Sequence, residues 1–334
     1  MFVPNLVLIA GINISLSAFL CAKDDSASST PSKTVAKLQM PPNTGNLVAF
    51  DGYVEDYKSL IIQPYFYMSN GYGDYSNSGK FEAAPSTTLT FTQLYLQYGF
   101  YPNWEIDVLF QVDVNAQRSH AACEFASTFL YLGYQLVAKT WEQTLFAILL
   151  GLFEAFPTGR YDALNPNWSN LQASTNGSFQ TGPFIFTEWT YLPKKGFKFF
   201  MITTNISWSW QTKRKTHGVS YYGGVPETNG TFYPKTVLTF TGSFQVGLTE
   251  LIEIACDFAF NYQGNVKFRG YPGMDDTGAL LDLNANDSYL AYLTPGFGLN
   301  ISPTSGFIAS GYLSLFGKNA AAFRGGAMTY FATF

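Results

Sequence analysis

The chain has 334 residues, of which 18% are aromatic and 13% are charged, and its formal net charge is −4. Soluble domains usually carry about a quarter charged residues, so this chain lacks much of the charge that normally coats a water-exposed surface. The net negative charge also gives no indication of the basic surface that binds nucleic acid, so nucleic acid is excluded as a class of partner.

The N-terminal region predicts an exported protein. Residues 1–22 contain an apolar core from Leu6 to Leu20, followed by small residues and then by charged ones. This pattern predicts a secretory signal peptide, although no Lys or Arg precedes the core. Residues 23–58 are mostly polar and contain prolines, which predicts a short, flexible periplasmic segment. The alternative is a segment that folds up into a barrel and plugs it.

Residues 59–334 predict an all-β fold. The longest uninterrupted apolar run, Leu145–Phe153, has half the 18 residues that would indicate a membrane helix, so helical spans are excluded. Strand-like runs occupy 59–69, 87–101, 104–115, 123–137, 143–156, 178–192, 197–211, 235–248, 250–262, 287–300, 305–316 and 324–334. Their connections alternate between long and short, which is typical of outer-membrane barrels with wide extracellular loops and tight periplasmic turns. The sequence therefore predicts one transmembrane antiparallel up-and-down β-barrel of about 12 strands, in the lipid bilayer of a Gram-negative outer membrane.

The run from Trp104 to Asn115 carries this interpretation most clearly. Apolar and polar residues alternate there, with Leu109 as the one exception, which indicates a strand with one apolar and one polar face. Membrane-spanning strands need about nine to eleven residues, and this run is long enough. Strand 143–156 is apolar on both faces, which is typical of contact with a plug or a packed lumen. The alternation along the strands predicts that the side of the barrel facing lipid includes Val108, Phe110, Ile254 and Phe258.

On the opposite face of these strands the alternate residues include carboxylates, and these are the candidate pore-lining residues. They are Glu105, Asp107, Asp113, Glu188, Glu253 and Asp257. An acidic ring in a confined passage concentrates cations and repels anions, so we predict a water-filled lumen with a weak cation preference. The alternative is a dry lumen in which basic groups pair with these acids, since unpaired buried carboxylates are costly. The candidate partners are Lys33, Lys37, Lys58 and Arg118.

The C-terminal strand ends in Phe334, and alternate residues before it are apolar or small. A closing amphipathic strand with a terminal Phe resembles the signal by which the outer-membrane assembly machinery recognises its substrates. Phe334 is therefore the predicted assembly signal.

Several short motifs carry a family resemblance. The sequence reads FPTGRY at 156–161, GLTELIEI at 247–254, NYQG at 261–264, TPGFGLN at 294–300 and LSLFGKN at 313–319. Pro157 cannot donate to a strand ladder and Gly159 permits positive φ, which predicts the start of a wide loop. GLTE predicts a tight turn with Thr249 at its tip.

In their order and spacing these motifs resemble the outer-membrane barrels labelled as meta-pathway (phenol degradation) transporters, relatives of the long-chain fatty-acid channels. The resemblance covers roughly residues 60–334 and implies passive uptake of small, hydrophobic or aromatic solutes.

Other functions are less well supported by the residues. An outer-membrane phospholipase needs a Ser–His pair oriented by Asn, but His120 and His217 fall in predicted loops and the enzyme's His-x-Ser-Asn-Gly pattern is absent. We therefore expect no enzyme activity and no cofactor, and two histidines offer no metal-ligand spacing. The alternatives to a channel are a structural or adhesive surface protein with a packed lumen and a soluble all-β binding protein.

Overall fold

A computed structural model of the chain describes residues 49–117, 120–167 and 169–334. The predicted signal peptide, residues 23–48 of the predicted periplasmic segment and Arg118 lie outside the described residues. Within those ranges, no helix combines the length and the apolar character needed to cross a membrane.

The described chain is almost entirely β-structure. Its elements are β1 (Leu60–Tyr75), β2 (Phe81–Tyr101), β3 (Trp104–Gln117), β4 (His120–Phe125), β5 (Thr128–Trp141), β6 (Thr144–Phe156), α1 (Ser169–Gln172), β7 (Gln180–Tyr191), β8 (Phe199–Gln211), β9 (Arg214–His217), β10 (Asn229–Pro234), β11 (Val237–Gly247), β12 (Ile252–Gln263), β13 (Val266–Tyr271), β14 (Ser288–Ser302), β15 (Ser305–Lys318) and β16 (Ala320–Thr333).

One 13-stranded sheet closes into the barrel. Its order is β2-β1-β16-β15-β14-β12-β11-β8-β7-β6-β5-β3-β4, and an additional β2–β3 pairing closes the ring. All of the strand pairs are antiparallel, and β4 and β5 share one position because they pair with opposite halves of β3. Because β4 and β5 occupy one position in the ring, the thirteen strands form a barrel with twelve strand positions, as predicted. Each of the predicted strand-like runs overlaps a strand of this barrel.

The outer surface of the barrel is apolar around most of its circumference. Exposed large apolar side chains come from most of the barrel strands, for example Phe66, Leu152, Ile206, Phe244, Ile254, Phe297, Leu313 and Met328. Such a continuous apolar belt is typical of a wall that faces hydrocarbon. The alternation predicted for β3 is confirmed, because its carboxylates are buried while Val114 on the other parity is 40% exposed.

The connections differ from the predictions in three details. Gly159 does not adopt positive φ. A glycine is needed at this position because a Cβ there would overlap the Phe125 carbonyl oxygen and the Ser174 hydroxyl. The GLTE turn spans 248–251 rather than one residue, and the Thr249 Oγ1 accepts hydrogen bonds from the backbone amides of Leu251 and Ile252 (3.1 and 3.0 Å).

The third difference is a small sheet where long loops were predicted. Strands β9, β10 and β13 form a three-stranded antiparallel sheet beyond the end of the barrel that carries the long connections. Phe232 and Val266 are buried on one of its faces together with Leu283. Each of these strands has only four to six residues, so the sequence alone gives too short a pattern to separate them from loop.

Candidate functional site: a passage inside the barrel

The six predicted pore-lining carboxylates lie on the inner wall of the barrel and are buried. Their exposed fractions run from 0% for Asp113 and Asp257 to 4% for Glu188. The others are Glu105, Asp107 and Glu253, so the set comes from strands β3, β7 and β12. Three of the six accept hydrogen bonds from backbone amides of residues 49–55, a segment that runs inside the barrel and that we call the lumen strap.

The first part of the strap is bound by β12 and β8. The backbone amide of Ala49 donates to the Asp257 carboxylate at 3.2 Å. The next amide, that of Phe50, donates to the side-chain oxygen of Asn205 at 2.6 Å, and the Asn205 amide donates back to the Phe50 carbonyl at 2.8 Å. The carboxamide of Asn205 thus satisfies both backbone groups of one strap residue, as a neighbouring β-strand would.

The second part of the strap is bound by β5 and β3. The Gln135 carboxamide accepts from the Val54 amide at 2.6 Å and donates to the Gly52 carbonyl at 3.0 Å. The register of β5 against β6 shifts between Gln135 and Val137, and such a bulge re-aims a side chain. Finally, the Glu55 amide donates to the Glu105 carboxylate at 3.0 Å. Side chains from several strands therefore hold the strap across a wide arc of the wall.

Gly52 lets the strap approach the wall closely. Its amide donates to the Glu188 carboxylate. A Cβ at Gly52 would lie 2.6 Å from the Glu188 nitrogen and 2.8 Å from the Thr187 carbonyl carbon. Because both are backbone atoms of β7, no side-chain rotation can relieve that overlap, and only glycine fits this position.

Phe50 anchors the strap in an aromatic cluster. Its ring stacks on Phe186 at a centroid distance of 5.2 Å and an interplanar angle of 5°, and it packs against Tyr131 at 5.2 Å and Tyr95 at 5.7 Å. Aromatic pairs of this kind contribute about 0.5–1.5 kcal/mol each beyond the burial of their area. The aromatic cluster and the wall hydrogen bonds fix the same strap residues.

The strap also accounts for the apolar inner face of β6. Val54 packs in one buried cluster with Leu149 and Phe153 of β6 and with Phe184 and Phe186 of β7. The sequence predicted two apolar faces for strand 143–156, and the inner one contacts a segment inside the lumen.

The strap narrows the lumen but leaves a cavity of about 570 Å³ beside it, which we call the passage. Its lining reaches Pro303 and Thr333 at the end of the barrel with the short turns. At the other end it reaches Asn176 and Tyr221 in the long connections. The passage therefore extends from one end of the barrel to the other.

The lining of the passage is aromatic and neutral-polar. Its aromatic members include Phe50, Tyr65, Tyr67, Phe91, Tyr95, Phe129, Tyr131 and Phe186, and its polar members include Gln63, Gln93, Gln111, Asn205 and Asn261. Within the described ranges, its carboxylates are Asp51 and Glu55 of the strap. The six acids of the wall are not among these lining side chains, because the strap stands in front of part of the acidic wall.

Leu109 was the exception to the alternation, and the passage explains it. Leu109 lies on the inner face of β3, pairs with Phe129 and lines the passage with it. The glutamines of the lining carry no signal in the sequence, since they alternate with apolar residues as in any amphipathic strand. Gln93 and Gln111 are direct partners in the pairing of β2 with β3, so the strand register brings them together on the inner face.

The remaining predicted residues lie at the ends of the chain. Phe334 is 73% exposed, and its backbone exchanges two hydrogen bonds with Leu60 at the start of β1 (2.9 and 3.1 Å). Its role as an assembly signal stays a prediction. Lys58 is exposed and takes no part in the ion pairs found among the described residues.

Comparisons with known proteins identify the fold. A scan against protein-family models gives no match, and a search of curated proteins gives none. Among solved structures, an outer membrane channel from Pseudomonas putida superposes with a TM-score of 0.59 at 10% identity, covering 86% of this chain and 100% of that one. A NanC porin (TM-score 0.38, 10% identity, 82% and 98% coverage) and the P. putida toluene transporter TodX (0.37, 9%, 86% and 99%) are too distant to support an argument. This chain has the fold of the P. putida outer membrane channel.

Proposed function

We propose that the protein is an outer-membrane channel for passive uptake of small aromatic solutes that carry a polar group. The observation that carries the proposal is the passage, which extends between the two ends of a barrel whose outside is apolar. Its volume of about 570 Å³ lies in the usual range for small-molecule sites. The resemblance of the sequence motifs to meta-pathway transporters supports the same class of solute.

The chemistry of the lining supports aromatic solutes in particular. Tyr67 and Phe91 stack at 4.3 Å on the side of the passage formed by β1 and β2. Successive aromatic faces offer a solute ring a series of similar, weak contacts, which favours entry without trapping. Carboxamides such as Gln93 and Gln111 can exchange hydrogen bonds with a hydroxyl group as the solute passes.

Swelling of proteoliposomes tests this proposal. Phenyl β-glucoside and cyclohexyl β-glucoside have nearly the same size, and the glucosyl group slows unaided crossing of lipid. We expect the phenyl compound to enter faster by at least about twofold, because an aromatic contact contributes about 0.5–1.5 kcal/mol. The double variant Tyr67→Leu/Phe91→Leu should lose most of this preference.

Phe66→Leu is the matched control, since Phe66 neighbours Tyr67 on β1 but is 41% exposed on the outer face. It should swell like the wild type. Equal entry of both glucosides, or the same loss in the control, would contradict the aromatic passage. No swelling with any solute would favour the alternative, a structural or adhesive surface protein with a closed lumen.

A further inference from the structure

The small sheet of β9, β10 and β13 continues the wall formed by β8, β11 and β12, and we call it the extension. Val237 of β11 pairs with Ser209 of β8. Eight residues earlier in the chain, Asn229 of β10 pairs with His217 of β9, which is eight residues after Ser209. The same offset relates the pairing of β10 with β13 to that of β11 with β12. The register of the barrel wall is therefore kept in the extension.

The lining of the passage continues into the extension as a set of basic residues. Gln211, Val237 and Gln263 line the passage near the end with the long connections. An even number of positions separates each of them from basic residues further out on its own strand, and alternate residues of a strand share a side. We call these basic residues, which are all exposed, the basic mouth: Lys213, Lys215, Lys235, Lys267 and Arg269.

The opposite side of the extension is closed by packing. Phe232 and Val266 are buried there in one cluster with Leu283, and Tyr222 packs against them. Tyr222 and Leu283 come from the connections that follow β9 and β13, so these connections cover the side that continues the apolar outside of the barrel. The side of the basic mouth is the open one, and it continues the lumen side of the wall.

The basic mouth concentrates positive charge at one end of the passage. Residues 209–217, 229–237 and 263–271 form the extension and its junction with the barrel, and they contain no Asp or Glu. The ion pairs found among the described residues include none of the five residues of the mouth. Uncompensated charge of one sign at the opening of a cleft raises the local concentration of ions of the opposite sign. This end of the passage therefore attracts anions.

We propose that the solutes of the passage are aromatic carboxylates, and that the basic mouth captures the carboxylate before the ring enters the passage. This rests on the proposed function and specifies the polar group of its solutes as an anion. Arg269 can bind a carboxylate with two parallel hydrogen bonds. The Tyr233 ring, whose centroid lies 5.3 Å from the Arg269 guanidinium, offers an aromatic face beside it. Lys215 and Arg269 both pair with Thr231, so they flank the central strand and can act on one anion together.

Capture of an anion at the mouth is compatible with the acids deeper in the barrel. Asn205, which binds the strap, precedes Lys213 by eight residues on the same wall, a distance of about 26 Å. This is about three times the Debye length of about 8 Å at physiological ionic strength. The mouth and the strap therefore act on a solute one after the other. The mouth sets the rate at which an anionic solute associates, whereas the preference among small ions arises beside the strap.

Interruptions of the single-channel current test the proposal, because their frequency at a given solute concentration reports the association rate. Phenyl β-glucuronide differs from phenyl β-glucoside in one group, a carboxylate in place of a hydroxymethyl. At low ionic strength, and extrapolated to zero voltage, the glucuronide should associate from the side of the mouth at least about tenfold faster than the glucoside. The triple variant Lys215→Gln/Lys267→Gln/Arg269→Gln should lose most of this difference and keep the wild-type rate for the glucoside. Raising the salt concentration to about 1 M, where the Debye length is about 3 Å, should do the same to the wild type.

The matched control is Lys139→Gln/Lys194→Gln/Lys195→Gln, which removes three exposed charges at the opposite end of the barrel and should leave the difference unchanged. Equal association of the two glycosides with the wild type, an unchanged difference in the triple variant or at high salt, or the same loss in the control would overturn the proposal. Failure of the channel itself gives a different result. Frequent interruptions by the glucuronide without any by the glucoside would count against the aromatic passage and would leave the basic mouth supported.

Discussion

Gly52→Val is expected to raise the single-channel conductance in planar bilayers at least about twofold, because conductance follows the free cross-section of a water-filled pore. The added side chain cannot fit between the strap and β7, where even a Cβ would lie 2.6 Å from a backbone nitrogen. The strap must therefore leave its position on the wall. The rest of the barrel does not depend on this contact, since its strands pair around the full ring.

Two further variants separate displacement of the strap from general damage. Gln135→Leu removes the carboxamide that binds both Val54 and Gly52 and should raise the conductance in the same direction. Gly71→Ala is the control, because the nearest atom to its added Cβ lies 3.7 Å away. Wild-type conductance in both Gly52→Val and Gln135→Leu would show that the strap does not limit the pore.

Displacing the strap should also strengthen the preference for cations. The strap bonds to Glu105, Glu188 and Asp257, so its removal exposes these carboxylates to the pore water, where they attract cations. The reversal potential across a salt gradient should show a weak cation preference in the wild type and a stronger one in Gly52→Val. Adding Asp107→Asn and Asp257→Asn to Gly52→Val should lower the cation-to-anion permeability ratio at least about twofold.

Asp275→Asn/Asp276→Asn provides the control for this measurement, since both acids are exposed in the connection between β13 and β14. These changes remove the same charge far from the strap and should leave the ratio unchanged. An anion preference in the wild type, or no effect of the Asp107 and Asp257 changes, would leave the wall acids with a structural role only.

The barrel could be predicted because its signal is local. The alternation from Trp104 to Asn115 and the rhythm of long and short connections each need only neighbouring residues. The parity also identified which carboxylates face inward, and all six are buried on the inner wall. The alternation cannot tell whether an inward-facing side chain contacts water or another part of the chain.

The strap and the passage depend on contacts between distant residues. Phe50 and Asn205 are 155 positions apart, and Val54 and Gln135 are 81 apart, and no local pattern encodes such pairs. Two signals did point toward them. Strand 143–156 was apolar on both faces, and Leu109 broke the alternation of β3. The first contacts the strap and the second lines the passage, so the exceptions to the barrel pattern were the informative positions.

The most direct test of the aromatic passage is to locate a solute inside it. A crystal of the protein soaked in 4-bromophenol, a single ring with one hydroxyl group, would report the ligand through the anomalous scattering of bromine. We predict a bromine peak inside the barrel, in contact with the aromatic lining of the passage, and its loss in Tyr67→Leu/Phe91→Leu crystals. Bromine found only on the outer apolar belt, or an unchanged peak in the double variant, would contradict the account.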